Sequence, residues 1–230
     1  MKRVEAGEAL VKTPKGGQTR ERILRAALEL FRERGYDETT MRAISERAGV
    51  ALGNAYYYFR SKEHLILGFY AQSLVEHLAA SRAILDTERD FATRLRGVMH
   101  AKITTSEPYH RFAGLLFKTA ADPLSPLSPF SSESEPVRQA STALFAETLF
   151  GSSTSVPDDL RAELPNLLWL YQMGVILFWI HDQSPEHRRT YRLVDHTVDL
   201  VARAIRLASV PLLRPLRRRA LQLLADLKEP

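Results

Sequence analysis

Two glycines divide the first part of the chain into one long and two short helical segments. Apolar residues recur at helical spacing from Thr19, a candidate N-cap, to Arg34, and Gly35 follows as a helix-ending residue. The pattern then predicts short helices at 41–48 and 52–59, with Gly49 in the break between them. Two short helices joined by a tight turn that contains glycine form a helix-turn-helix unit. The first helix is expected to support both of them.

The remainder of the chain continues the helical pattern. No strand-like alternation or hairpin dipeptide competes with it. A stretch with four prolines and five serines, 122–136, is predicted to be a loop. Further helices are expected at 62–81, 89–105, 109–121, 136–150, 165–182, 185–208 and 211–228. The sequence therefore predicts an all-α protein.

The excess positive charge is confined to the first 62 residues. They hold 13 Lys and Arg against 8 Asp and Glu, whereas the other 168 residues hold 19 of each sign. A locally basic segment favours a polyanionic partner. Residues 1–17 are expected to form a flexible basic arm, and a solubilising tail is the alternative interpretation of its charge.

Composition and motifs exclude several classes of protein. The absence of cysteine excludes disulfides, thiol nucleophiles and thiolate metal sites. The first residues lack the apolar segment of a secretory signal, and the longest apolar run, 167–180, is shorter than the roughly 20 residues that span a bilayer. We therefore expect a cytoplasmic protein without membrane insertion. No H-E-x-x-H, G-x-S-x-G or glycine-rich phosphate loop occurs, so no enzyme, catalytic residue, cofactor or metal site is predicted.

Four consecutive aromatic residues, 56–59, fall in the second short helix. At about 100° per residue they spread over about 300° of the helix surface, so they cannot all face one core. Ala55 and Phe59 share a face and are expected to pack inward. Tyr56, Tyr57 and Tyr58 carry hydroxyl groups that can donate to phosphate oxygens of DNA. Core packing with one solvated ring is the alternative.

Small and polar residues surround these rings. Gly53 and Asn54 lie at the start of the helix, where base edges are reached in a major groove; Asn54 can donate and accept there. Lys62 opens the following helix and adds a charge that favours phosphate. For Arg42 and Arg47, contact with DNA and a solvated surface position both remain open.

The segment "TRERILRAALELFRERGYDETTMRAISERAGVALGNAYYYFRSKEHLI" resembles the DNA-binding domain of the tetracycline-repressor (TetR) family of bacterial regulators. The resemblance covers about residues 18–66 and includes the Gly35-Tyr36 turn and the G-x-x-Y-x-x-F-x-x-K pattern that ends at Lys62. It implies a three-helix helix-turn-helix DNA-binding domain at 18–64. It also implies a larger C-terminal helical ligand-binding and dimerisation domain at 65–210. The helical pattern adds an extra helix at 211–230, beyond the usual last helix of the family.

The resemblance also implies roles for single residues. Thr40 would cap the second helix and touch phosphate, and Leu52, Gly53 and Asn54 would lie at base edges. Tyr56, Tyr57 and Lys62 would contact the DNA backbone. The sequence departs from the family at three positions: Ala51 replaces a frequent Ser or Thr cap, Leu52 a polar residue, and Tyr58 a histidine. With Arg42, the predicted DNA-binding residues are Thr40, Arg42, Leu52, Gly53, Asn54, Tyr56, Tyr57, Tyr58 and Lys62.

The segment 164–182 is apolar nearly all round, so it must be covered on both sides. With 191–208 it is expected to build a four-helix bundle across the two-fold axis of a homodimer. A homodimer is also expected because its two recognition helices would bind successive major grooves, which are about 34 Å apart. A monomeric core helix is the alternative.

Aromatic and apolar residues on two segments are candidates for an effector pocket. They are Phe112, Leu115, Leu116, Phe117, Trp169, Met173, Leu177 and Phe178. Such residues also form ordinary cores. The expected effector is apolar or amphipathic: a fatty acid, an acyl thioester or an aromatic compound. His110, His181 and Asp182 are candidates to orient a polar head, and each is also a plausible surface or helix-end residue.

The whole pattern favours a ligand-responsive transcriptional regulator that binds double-stranded DNA as a homodimer. A repressor is expected, although an activator would use the same contacts. The alternative is a lipid- or protein-binding helical module whose helix-turn-helix is vestigial. The basic segment 211–227 is expected to pack on the body or on the partner, with a membrane-surface helix as the alternative.

Overall fold

The computed structural model of the chain describes residues 14 to 226, and the regular structure in that range is entirely helical. The predicted all-α class is therefore confirmed. The first helices are α1 (Pro14–Arg34), α2 (Met41–Arg47), α3 (Leu52–Tyr58) and α4 (Lys62–Thr87). They are followed by α5 (Phe91–Ser106), α6 (His110–Ala120), α7 (Glu135–Phe150) and α8 (Asp158–Arg161). The last three are α9 (Leu164–His181), α10 (Arg188–Ala208) and α11 (Arg214–Asp226).

Three short 3-10 turns join some of these helices: Glu107–Tyr109, Pro185–His187 and Pro211–Leu213. The second of them was expected to be the start of a continuous helix. Instead, Glu186 and His187 have φ angles of 55° and 50°, in the left-handed region that non-glycine residues rarely adopt. The chain therefore turns sharply between α9 and α10.

The prediction that α1 begins at Thr19 is wrong, because the helix begins at Pro14. Proline is well suited to the first turn of a helix, where its missing N–H group would have no partner. Gly16 is buried, so packing outweighs the low helix propensity of the two glycines that follow Lys15. The part of the predicted arm at 14–17 is thus helical, and residues 1–13 lie outside the described range.

The chain divides into two compact units, and the division falls inside both α4 and α7. The N-terminal unit comprises the chain up to Ser73 together with Tyr109–Val137, and the C-terminal unit comprises Leu74–Pro108 and the chain from Arg138. The functional boundaries predicted at residues 64 and 210 stay predictions.

The core of the N-terminal unit joins α1, α2 and α3 to α6. Phe31 of α1 stacks on Phe112 of α6, with ring centroids 5.6 Å apart, and Phe69 meets Phe112 edge-on at 5.5 Å. Other fully buried members are Ile23, Leu24, Ala27, Ile44, Ala55, Leu65 and Ile66. This core fixes the orientation of the two short helices.

In the C-terminal unit, α10 packs against α5, and α9 packs against both. The buried face of α9 contains Leu168, Trp169, Gln172, Val175 and Trp179. By length and composition alone α9 could also cross a membrane, although 39% of it is buried inside the protein. Its opposite face leaves Leu170, Leu177 and Phe178 exposed.

Candidate nucleic-acid interface

Two glycines make the turns that set the directions of α2 and α3. Gly35 ends α1 with φ of 86°, and Gly49 follows α2 with φ of 63°. Both angles lie in the left-handed region, where glycine has no side chain to clash with the backbone. The N–H of Gly35 donates to the carbonyl of Phe31 at 3.0 Å, which is the bond expected of a helix-ending glycine. Both sequence predictions of helix ends are confirmed.

Thr40 caps α2 as predicted. Its hydroxyl oxygen accepts from the N–H of Ala43 at 3.2 Å, and its φ and ψ are extended. The hydroxyl proton is not used in this bond, so the exposed group can still donate to an acceptor outside the protein. Capping by a threonine hydroxyl typically stabilises a helix by about 1 kcal/mol.

Helix α3 has one buried and one open face. Ala55 and Phe59 are fully buried, as predicted from their spacing, whereas Gly53 and Asn54 are exposed. No side chain caps the helix at Ala51, in agreement with the departure noted in the sequence. Leu52 is half-buried and packs against the core of the N-terminal unit. The first turn of α3 therefore presents Gly53 and Asn54 outward.

The three tyrosines of α3 differ in their surroundings. Tyr56 and Tyr57 are 48% and 52% exposed. Tyr58 is half-buried against the core and meets the ring of Tyr57 edge-on at 5.3 Å. Two of the three rings thus project from the protein, while Tyr58 has a structural contact that limits its reach.

Lys62 lies in a clamp that sequence reasoning did not find. Its ammonium donates to the carbonyls of Tyr36 at 2.6 Å and Asp37 at 3.3 Å, and it lies 4.3 Å from the centre of the Tyr36 ring. The Tyr36 hydroxyl donates to Glu63 at 2.8 Å. Burial, and then the neighbouring Glu63, raise the pKa of Tyr36, so its hydroxyl stays protonated as a donor. An ammonium has three donors, so phosphate binding by Lys62 would use the donor that these carbonyls leave.

The two arginines of α2 have different partners. Arg47 donates two hydrogen bonds to the carboxylate of Glu33 of α1, at 2.9 Å and 2.8 Å, and these bonds raise the pKa of Arg47. Arg42 is exposed, and no carboxylate lies within ion-pair distance of it in the described chain. Only Arg42 therefore offers its charge to an outside partner without first breaking an ion pair.

Two family models together match most of the chain. The model described as bacterial regulatory proteins, tetR family, matches residues 23–68, which contain α2 and α3. The model described as tetracyclin repressor-like, C-terminal domain, matches residues 94–222, more than half of the chain. The chain belongs to the TetR family. The expected family and its helix-turn-helix are thereby confirmed.

Several known proteins are similar to this chain in sequence or in fold. The chain is 31% identical over 112 residues to the transcriptional repressor KstR2 of Mycolicibacterium smegmatis, a match that covers 48% of this chain and 54% of that protein. It therefore spans about half the length of that curated relative. The TetR transcriptional regulator of Nitrosomonas europaea is 15% identical with a TM-score of 0.61, covering 80% of this chain and 97% of the other, which shows the fold alone. FadR of Thermus thermophilus, a TetR-family repressor solved with lauroyl-CoA, is 28% identical with a TM-score of 0.52 and covers 76% and 92%.

The residues predicted for an effector pocket are distributed over both units. Phe112 and Leu116 are buried in the core of the N-terminal unit, and Phe117 is partly exposed. In the C-terminal unit Trp169 is buried and Met173 is half-buried, whereas Leu177 and Phe178 are each 41% exposed. Nothing is described for the side chain of Leu115.

The candidates for a polar head group have contacts of their own. Asp182 is buried and accepts from the N–H groups of Ser184 and Thr190, both at 2.9 Å, and from the Thr190 hydroxyl at 2.8 Å. The His181 ring bonds to the carbonyl of Leu177 at 2.9 Å, as a helix-end residue does. Asp182 is therefore a cap between two helices.

Proposed function

We propose that this TetR-family protein is a ligand-responsive repressor that binds a palindromic DNA operator as a homodimer in the cytoplasm. Gly53 and Asn54 read base edges in the major groove, while Tyr56, Tyr57, Thr40 and Lys62 bind backbone phosphates. The observation that carries this proposal is the open face of α3, where a small residue, an amide and two projecting phenol rings stand on a rigid core. Arg42 adds a charge beside them. Leu52 and Tyr58 contribute mainly by packing, and reach DNA only with their exposed edges.

The proposed homodimer uses the exposed apolar faces of α9 and α10. Leu170, Leu177 and Phe178 lie on the open side of α9, and Leu200 and Leu207 on the open side of α10. The two helices are joined by a 2.6 Å hydrogen bond between Tyr171 and Thr197. Large apolar side chains exposed on adjacent helices mark an interaction surface. Leu177 and Phe178 therefore suit the contact with a second copy better than the pocket for which the sequence predicted them.

The proposed effector is apolar or amphipathic: a fatty acid, an acyl-CoA or an aromatic compound. The relative from Thermus thermophilus was solved with lauroyl-CoA, which favours an acyl ligand. Of the predicted pocket residues, Trp169 and Met173 are retained in this role. Phe112 and Leu116 are assigned to the core instead, because they pack with Phe31 and the other buried residues around the short helices.

The proposal is tested by a gel-shift assay on the intergenic DNA upstream of the protein's own gene. Specific binding is expected, with affinity falling steeply with salt by about 0.9 log units per log unit of salt for each phosphate neutralised. A panel of fatty acids and acyl-CoAs is then added at fixed salt. Release by one compound supports both the regulator and the ligand class. Operator DNA must then weaken the binding of that compound by the same factor by which the compound weakens DNA binding.

The other outcomes separate the alternatives. Specific DNA binding that no compound releases would support the operator and contradict the effector class. Ligand binding with no preference for any DNA, tested against a genomic fragment library, would favour a lipid-binding module whose helix-turn-helix is vestigial.

A further inference from the structure

Three arginines at the start of α10 surround a depression in the surface of the C-terminal unit. Arg188, Arg189 and Arg192 are exposed and line a cavity of about 480 Å³, together with Gln183, Ser184 and Pro185. A second depression of about 560 Å³ shares Arg188 and Arg192 and is also lined by Tyr191, Glu107, Glu186 and Asp195. The two depressions thus share the same pair of arginines.

The carboxylates of this region do not neutralise the three arginines. In the described residues, no carboxylate oxygen lies within ion-pair distance of Arg188, Arg189 or Arg192. Two of the three lining carboxylates have other partners, and Glu186 is exposed. Glu107 accepts from the Trp179 indole at 3.2 Å and bonds to His187 at 2.7 Å; Asp195 pairs with Arg96 at 3.4 Å and lies 3.1 Å from His100.

The three arginines lie at positions where positive charges are electrostatically unfavourable. Arg188 and Arg192 are four residues apart on one helix face, where like charges destabilise a helix. All three lie in the first turns of a 21-residue helix, at the end where the helix dipole disfavours cations. An anion bound between the guanidinium groups would relieve both unfavourable effects.

The backbone of this helix end is already satisfied, so an anion would be held by side chains. The N–H of Arg189 donates to the Ser184 hydroxyl at 3.1 Å, and the N–H of Thr190 to the carboxylate of Asp182 at 2.9 Å. The bond from His187 to Glu107 holds the left-handed turn just before Arg188. The base of the depression is therefore fixed before any ligand arrives.

We propose that Arg188, Arg189 and Arg192 form a binding site for a small molecule that carries phosphate groups. A guanidinium presents two parallel N–H donors that match a pair of phosphate oxygens, and three such groups suit more than one phosphate. Both volumes fall within the range of about 300–1,000 Å³ typical of small-molecule sites. The half-exposed Tyr191, held by its hydroxyl at 3.1 Å from Thr104, provides one wall.

The site is tested by calorimetric titration of the intact protein with sodium tripolyphosphate and with inorganic phosphate, in chloride buffer of fixed ionic strength. Tripolyphosphate is expected to bind more tightly than phosphate. The double variant Arg188→Ala/Arg192→Ala should weaken the binding of tripolyphosphate by about tenfold or more. This is the order expected when two charge-assisted contacts are lost. The matched control is Arg206→Ala, since Arg206 is an exposed arginine of the same helix that lines neither depression.

Three results would overturn the assignment. In the first, tripolyphosphate would show no binding to the wild-type protein. In the second, Arg206→Ala would weaken tripolyphosphate binding as much as the double variant does. In the third, the double variant would lose operator affinity in phosphate-free buffer while Arg206→Ala kept it, which would assign the cluster to DNA phosphates. Far-ultraviolet circular dichroism of each variant shows whether α10 is intact before its titration is interpreted.

Discussion

At the scale of single residues, Arg94 shows how a buried charge can be satisfied without an acid. Its side chain is 1% exposed, and its donors reach four backbone carbonyls. Nε donates to Thr148 at 2.8 Å, Nη1 to Leu85 at 2.6 Å and Glu88 at 2.8 Å, and Nη2 to Glu147 at 2.8 Å. These carbonyls lie at the C-terminal ends of α4 and α7, where the helix dipoles are negative. Arg94 therefore joins three helices of the C-terminal unit.

Replacing Arg94 by methionine should lower the free energy of unfolding by about 3 kcal/mol, because the carbonyls lose their donors and stay buried. The midpoint of urea unfolding, followed by circular dichroism, measures the change. Arg203→Met is the matched control at an exposed site and should be close to neutral. Equal effects of the two variants would mean that the bonds to the carbonyls contribute little.

Asn54 and Tyr57 should respond differently to substitution if their proposed roles are right. Asn54→Ala should reduce the preference for the operator over scrambled DNA by about 1–3 kcal/mol, because a base-edge contact discriminates between sequences. Tyr57→Phe should weaken binding to the operator and to scrambled DNA alike, because a contact with phosphate does not depend on the base sequence. Fluorescence anisotropy at one salt concentration with both duplexes measures the two affinities. Equal losses on both duplexes for Asn54→Ala would contradict base reading.

At the scale of elements, Asp182 caps the junction between α9 and α10. Burial acts to raise its pKa, but hydrogen bonds from the backbone and side chains of Ser184 and Thr190 outweigh it and hold the pKa at about 2, below the usual 3.8. A depressed carboxyl pKa stabilises the fold above the unfolded value and loses this effect as pH falls through the folded value. Asp182 should therefore contribute about 2 kcal/mol at neutral pH and about half of that at pH 3.

Asp182→Asn tests this cap. The variant should be less stable than wild type at pH 7, and the difference should shrink as the pH is lowered from 5 to 3. Urea unfolding at several pH values measures it, with Asp158→Asn as an exposed control. If the difference in stability between wild type and Asp182→Asn stayed constant with pH, the charge of the carboxylate would have no role. The variant would then be less stable only because it loses a hydrogen bond.

The helices were predictable where local signals mark their ends. Thr40, Gly35 and Gly49 act on their own neighbours, so the bounds of α2 and the end of α1 followed from the sequence alone. The start of α1 did not follow from the sequence. The low helix propensity of glycine predicts a break there, but the tertiary packing of Gly16 outweighs it.

Contacts between distant residues were harder to predict. The clamp on Lys62 joins residues 25 and 26 positions apart, and no periodicity signals it. Helix α9 is apolar on every face, so its sequence does not tell which side is buried; Leu177 was therefore predicted for a pocket although it is exposed. The capping role of Asp182 could not be predicted from the sequence either. A carboxylate next to a histidine is as compatible with a ligand site as with a helix cap.

At the scale of the whole molecule, the proposed homodimer determines how tightly DNA is bound. Two linked recognition helices bind two half-sites together, so the second contact is effectively intramolecular. The exposed face of α10 is central to this proposal, because Leu200 is 62% exposed on a helix whose other side packs on α5. An exposed leucine can be changed without opening a cavity, so the face can be tested in a folded protein.

Leu200→Glu should convert the dimer to a monomer, because burying a carboxylate in an apolar interface without a partner is strongly unfavourable. Operator affinity should then fall by about 100-fold or more as the linkage between half-sites is lost. Light scattering coupled to size-exclusion chromatography measures the mass, and anisotropy measures the affinity. Leu124→Glu is the matched control, because Leu124 is 93% exposed in the loop between α6 and α7 of the N-terminal unit. A Leu200→Glu protein that remained dimeric and bound the operator normally would place the interface on another face.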